Sequence, residues 1–113
     1  MAGSTVAQMA TKLENAAKAL GLSLDAEYQT RSADYASQAK KHIVAVMGWW
    51  YTQAGTTAAG DTAAWDDEFE QMWFNLACSD YLRDLGAIQQ SASHYAAFER
   101  NVAMFNSLRP KID

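Results

Sequence analysis

Proline occurs once in this 113-residue chain, cysteine once and histidine twice. The one proline is Pro110, so no proline interrupts a helix anywhere before it. A lone cysteine, Cys78, excludes an intrachain disulfide, and nothing points to an oxidising compartment. His42 and His94 fall on different predicted helices, and neither has a histidine or cysteine three or four residues away. A zinc site built from these two and Cys78 therefore has no support from spacing, and no metal or other cofactor is expected. No apolar run approaches the roughly 18 residues that a membrane span needs. The opening "MAGSTVAQMATKLENAAK" lacks both the basic start and the continuous apolar stretch of a secretory signal, so the chain is expected to be cytosolic when made. Basic residues are scarce, nine against thirteen acidic, for a net charge of −4. Without a basic stripe the chain is poorly suited to gripping nucleic-acid phosphates. "GTTAAGDT" lacks the lysine of a phosphate-binding loop, and no strand precedes it.

What is present is apolar and aromatic. Half the residues are hydrophobic and 12% are aromatic, which is enough for a real core in a single domain spanning 1–113. Strict two-residue alternation is absent, and so is any internal repeat. Apolar residues recur instead at three- and four-residue steps in four segments. In the first, about 4–20, Val6, Met9, Leu13, Ala17 and Leu20 share a face; Ser4 is placed to cap it and Gly21 to end it. "GLSLDAEYQT" reads as a connector. The second segment, about 32–53 with Ser32 as cap, carries a stripe of Tyr35, Ala39, Ile43, Val46 and Trp50, with Gly48 inside it. "QAGTTAAGDTAA" is a long loop of small residues. The third, about 62–85, has Trp65, Phe69, Met72 and Leu76 on one face with Trp73, Ala77 and Tyr81 beside it, and Gly86 follows its end. The fourth, about 91–108, repeats Tyr95, Phe98, Val102, Phe105 and Leu108, starts at Ser91 or Ser93, and is stopped by Pro110. The expected fold is all-α: a four-helix, bundle-like arrangement of two helical hairpins, with a long small-residue loop between the second and third helices and a short extended end at 109–113.

Two features exceed what a small core needs. Trp49, Trp50 and Tyr51 are consecutive, and neighbours on a helix point about 100° apart, so all three cannot face one core. Surplus aromatic surface of this kind suits an interface, and Trp65 lies just across the loop. Charge is also uneven. Segment 61–84 holds seven acids, Asp61, Asp66, Asp67, Glu68, Glu70, Asp80 and Asp84, against Arg83 alone, a net of −6 that leaves +2 for the rest of the chain. Acids near a helix start are ordinarily a solvated face stabilised by the helix dipole. Cys78, in "NLACSDY", has no neighbouring base and reads as core. No nucleophile, base and orienting group fall together, so no catalytic activity is expected.

The order and texture of the elements allow a comparison. A helix ending in "AAKALG" precedes one ending in "AVMGWWYTQAG". A small-residue loop leads to "FEQMWFNLACSDYLRDLG", and a last helix opens with "HYAAFERNVAMFNSL". Over about residues 10–108 this resembles the small helical head-to-tail connector proteins of tailed bacteriophages, the adaptor or head-completion type, and among them the tail accessory factors of short-tailed phages. The shared texture is an aromatic pair before a glycine turn, then a run like "NLAC", here Asn75 to Cys78.

The resemblance implies a structural virion protein, with localisation at the head–tail junction after assembly in the host cytoplasm. Its partners would be the portal protein and the tail or tail-plug proteins. Copies would form a closed ring of about twelve, through which packaged DNA passes without specific binding. No membrane is involved. On this expectation Trp49, Trp50, Tyr51 and Trp65 form a subunit or tail-facing interface. Arg109, Pro110, Lys111 and Ile112 form a short portal tether, although relatives often carry a longer C-terminal arm. Asp66, Asp67, Glu68 and Glu70 face the channel, where like charge repels phosphates. The alternative is a small cytosolic helical protein that binds or regulates one partner without forming a ring.

Overall fold

The computed structural model describes residues 4–22, 24, 26–53 and 67–108; within the helices, the side chains of 27–29, 44, 46–53, 67–69 and 105–108 lie outside that description. Four helices are present: α1 (Val6–Ala19), α2 (Ala26–Gln53), α3 (Asp67–Asp84) and α4 (Ile88–Leu108). No strand occurs among the described residues. The all-α architecture of two hairpins expected from the periodicity is the observed one. The small-residue loop, together with Trp65 and Asp66, lies outside the described residues.

Helix ends follow local chemistry. Thr5, not Ser4, caps α1: its side chain accepts from the Gln8 N–H while the Gln8 side chain accepts from the Thr5 N–H, a reciprocal capping box. Gly21 ends α1 at φ +81. The Gly21 N–H donates to Lys18 O and the Leu22 N–H to Ala17 O, the two bonds of a Schellman turn. Gly86 repeats the device at φ +88, with its N–H on Arg83 O and that of Ala87 on Leu82 O. Both positions need the left-handed region that glycine enters without strain.

Two starts differ from expectation. α2 begins at Ala26, six residues before Ser32, because nothing in "AEYQT" stops it; the Thr30 hydroxyl already bonds back to Ala26 O at 3.0 Å. Ser32 is therefore an interior residue, 1% exposed, donating its hydroxyl to Glu14 of α1 at 3.3 Å. α4 likewise begins at Ile88, directly after the Gly86 turn, and Ser91 is buried, donating to the Ser79 carbonyl at 2.6 Å. Serine at 79 and 91 lets α3 and α4 approach closely.

Cross-helix pairs give the directions. Arg31 meets Asp84 at 2.9 Å, while Trp73 meets Ala36, so α2 and α3 run antiparallel. Asn75 meets both His94 and Asn101, and Gln71 meets Asn101, so α3 and α4 also run antiparallel. α1, α2 and α3 pack as a triangle, whereas α4 lies along α3 and, among the described residues, packs against neither α1 nor α2. The core follows this plan: Met9, Leu13 and Ala17 from α1, Ala36, Ala39 and Ile43 from α2, and Met72, Trp73, Leu76, Ala77, Cys78, Tyr81 and Leu82 from α3. α3 is buried on several sides because it has neighbours on several sides. Leu20, placed on the α1 stripe by periodicity, is 44% exposed because the helix has already ended there. Tyr95 is also turned outward, at 46%.

Trp73 is fully buried; its Nε1–H donates to Ala36 O at 2.7 Å, and the Lys40 ammonium lies 5.0 Å from its ring centroid. Lys40 is thus buried beside the indole, not on the solvated face that its neighbours Lys41 and His42 occupy. Its apolar stem packs inward while the charge rests on the ring face. Trp73→Phe keeps most of the volume but loses the hydrogen bond and the stronger π face, and should cost about 1–2 kcal/mol. Trp73→Ala should cost about 3–5 kcal/mol. Urea unfolding of both variants measures the difference.

Candidate functional site

Antiparallel packing gathers several of the sequence-predicted residues at one end of the molecule. Trp49, Trp50 and Tyr51 stand on the last two turns of α2, Asp67, Glu68 and Glu70 on the first turn of α3, and Leu108 closes α4 at the same end. The side chains of Trp49, Trp50, Tyr51, Asp67 and Glu68 are outside the described set, as are Asp61, Trp65, Asp66, Arg109, Pro110, Lys111 and Ile112 altogether.

Glu70 is described, and it is engaged within the protein. Its carboxylate accepts from the Ser4 N–H through one oxygen and from the Ser4 hydroxyl at 3.1 Å through the other. The Lys12 ammonium completes the cluster, 3.5 Å from Glu70 Oε2 and 3.0 Å from Ser4 Oγ. Ser4, expected to cap α1, instead ties the approach to α1 onto α3. The carboxylate is 20% exposed, against 51% for the Lys12 side chain, so the hydrogen bonds are better shielded from water than the ion pair.

Beside this cluster runs a groove of about 560 Å³, lined by Lys12, Asn15 and Ala16 of α1 and by Glu70, Gln71, Phe74 and Asn75 of α3. It lies along the line where α1 meets α3, on a stretch where, among the described residues, α4 does not pack against α1. Ala16 of α1 and Phe74 of α3 give it apolar surface, and the lining also includes the carboxamides of Asn15, Gln71 and Asn75. It is a shallow depression, largely open to solvent, not an enclosed cavity.

On the α4 side the edge is stitched by a polar ladder. His94 Nδ1 lies 3.0 Å from Asn75 Oδ1, the Asn75 amide donates to Asn101 Oδ1 at 2.8 Å, and the Asn101 amide donates to Gln71 Oε1 at 3.4 Å. With the Asn75 oxygen as acceptor, the proton of the imidazole sits on Nδ1. The ring stands edge-on to Phe74, centroids 5.7 Å apart at 84°. The ladder was not singled out from sequence. Its signal is Gln71 and Asn75, four residues apart on a helix otherwise apolar on several sides, together with Asn101 inside the apolar stripe of α4.

Reactive groups are held quiet. Cys78 is fully buried, and burial pushes its thiol up to about 12. Burial also raises the Tyr81 phenol to about 12, with Glu14 and Asp84 adding to the effect. Among the described residues no three His, Cys, Asp or Glu side chains come together as a metal cage. None of the described helices is long and apolar enough to cross a membrane. The arrangement brings together a shallow groove, carboxamides and one half-buried imidazole. No protein-family model, curated protein or solved structure matches this chain.

Two outcomes follow from this geometry. Glu70→Ala removes a partly buried acceptor and should cost about 1–2 kcal/mol with loss of amide-exchange protection at Ser4, whereas Lys12→Met should cost under about 0.5 kcal/mol. Burial holds the His94 imidazole below its ordinary value of 6.5. The unfolded chain therefore binds this proton more readily, so stability should fall as pH drops through 6.5 and level off below the folded-state value. Thermal unfolding across that range, repeated on His94→Gln, should show a shallower pH dependence in the variant.

Proposed function

We propose that this chain is a structural, non-catalytic adaptor subunit of a tailed-phage particle, docking on the portal after DNA packaging, extending the channel and offering the tail an attachment platform. The observation that supports this best is the convergence of the aromatic end of α2, the acid-rich start of α3 and the exit of α4 at one end of a small helical bundle. A closed ring needs two unlike faces on each copy that fit one another around the rotation axis. Trp49, Trp50, Tyr51 and Trp65 supply aromatic surface for one such face or for the tail. Asp66, Asp67 and Glu68 are the acids offered to the channel, where they would repel DNA phosphates and let the duplex slide. Glu70, bonded to Ser4 and Lys12, has a structural task as well. Arg109, Pro110, Lys111 and Ile112 are the proposed portal tether.

A single-partner regulatory protein would use the same end of the bundle, and copy number separates the two readings. Quantitative mass spectrometry of purified virions should count this chain in a fixed ratio near one to one with the portal protein; its absence from virions would sink the adaptor reading. Deleting residues 109–113 should weaken capture on purified portal rings, and normal capture would remove the tether assignment.

A further inference from the structure

Among the described residues α4 packs on α3 alone. The buried apolar core is drawn from α1, α2 and α3, and Phe98 and Val102 of α4 are only partly buried against it. What holds α4 is a set of pairings: Ser91 on the Ser79 carbonyl, Asn101 with Asn75 and Gln71, and His94 with Asn75 and, edge-on, with Phe74. Each of these partners stands on α3, so the α3 of a second copy offers the same set in the same geometry.

The connection between the two helices is short and constrained. Leu85, Gly86 and Ala87 alone join α3 to α4. They reverse the chain through Gly86 at φ +88, with the Gly86 N–H on Arg83 O and the Ala87 N–H on Leu82 O. Among the described residues, a Cβ at position 86 would meet nothing within 4 Å, so the turn needs glycine for its backbone conformation and not for space. No proline stands between Asp67 and Leu108, so nothing in the sequence forbids α3 and α4 from running on as one helix once the turn opens. A short hinge of this kind favours exchange of an identical element between copies, because opening relieves the turn and the partner restores every lost contact.

We infer that α4 is an exchangeable arm: the turn at Gly86 opens, and α4 of each copy packs on α3 of the other to give a dimer by mutual exchange. The α3/α4 interfaces of the dimer are those of the monomer, and only the hinge differs. Residue 86 therefore sets the balance. Glycine favours the turn, because it enters the left-handed region without strain, and disfavours the open form, because it is a poor helix residue. Alanine reverses both preferences. The exchange requires no portal, so it stands or falls separately from the adaptor reading, which copy number in virions decides.

The test uses the full chain, as parent and as Gly86→Ala, in size-exclusion chromatography with light scattering at rising concentration. The substitution should raise the association constant about tenfold for each hinge, hence about a hundredfold for a dimer that holds two. Isotope-filtered NMR on a dimer refolded from equal parts of labelled and unlabelled chain then identifies the contact. Proximities of Phe74 to His94 and of Asn75 to Asn101 should cross from one chain to the other. A dimer in which those proximities stay within one chain overturns the proposal, since its copies then associate through another surface. So does a folded Gly86→Ala chain that remains monomeric at every concentration. Should the variant fail to fold, the parent chain refolded at high concentration takes its place: a dimer with cross-chain Phe74–His94 contacts supports exchange, and recovery of monomer alone overturns it.

Discussion

A buried indole has one polar atom to place, and Trp73 places it on the Ala36 carbonyl 2.7 Å away, on the neighbouring helix. That bond sets the register of α2 against α3. With it set, Lys40 comes over the indole face, Tyr35 meets the Tyr81 ring at 6.0 Å between centroids, and Arg31 meets Asp84. Four different interactions, two of them involving charge, agree on one alignment, and each would be lost by sliding a helix one turn. A core of leucines alone would fill the same volume with less reason to choose that register.

Because α3 carries the indole, the phenol of Tyr81 and the apolar residues on either side of them, it is the helix the others pack around. α1 and α2 enclose part of it, and α4 takes another part through small residues, Ser79 and Ser91, and through carboxamides. This division explains the groove. Where α4 bonds to α3 through Gln71, Asn75, Asn101 and His94, it is held to that side of α3 and does not spread toward α1. Among the described residues, the strip over Phe74 is the geometric remainder, and the Ser4–Lys12–Glu70 cluster lies along it. Cys78, enclosed in the same packing, is removed from chemistry by the burial that makes it part of the core.

Most of the architecture was legible in the one-dimensional pattern. Met9, Leu13 and Ala17 recur at helical spacing and are buried; Gly21 and Gly86 stand where the chain must take a positive φ, and both helices stop there. Helix starts were less legible. A serine is a good cap only where the helix has a reason to begin, and Ser32 and Ser91 lie inside helices whose preceding residues are themselves compatible with helix. The burial of Lys40 has no local sign either: it stands beside the exposed Lys41 and His42, and only an indole from another helix supplies a face for its ammonium.

The sequence by itself determined the helical class, the number of segments, their stops and the apolar stripes, because these depend on interactions within a few residues. It also showed surplus aromatic and acidic groups near the same stretch of chain. Only the tertiary structure decided that α3 is central, that Glu70 binds Ser4 and Lys12, that His94 joins Asn75 and Asn101, and that a groove remains between α1 and α3. Those pairings join residues 19 to 66 positions apart, and no local periodicity encodes which polar groups will meet once the helices have packed.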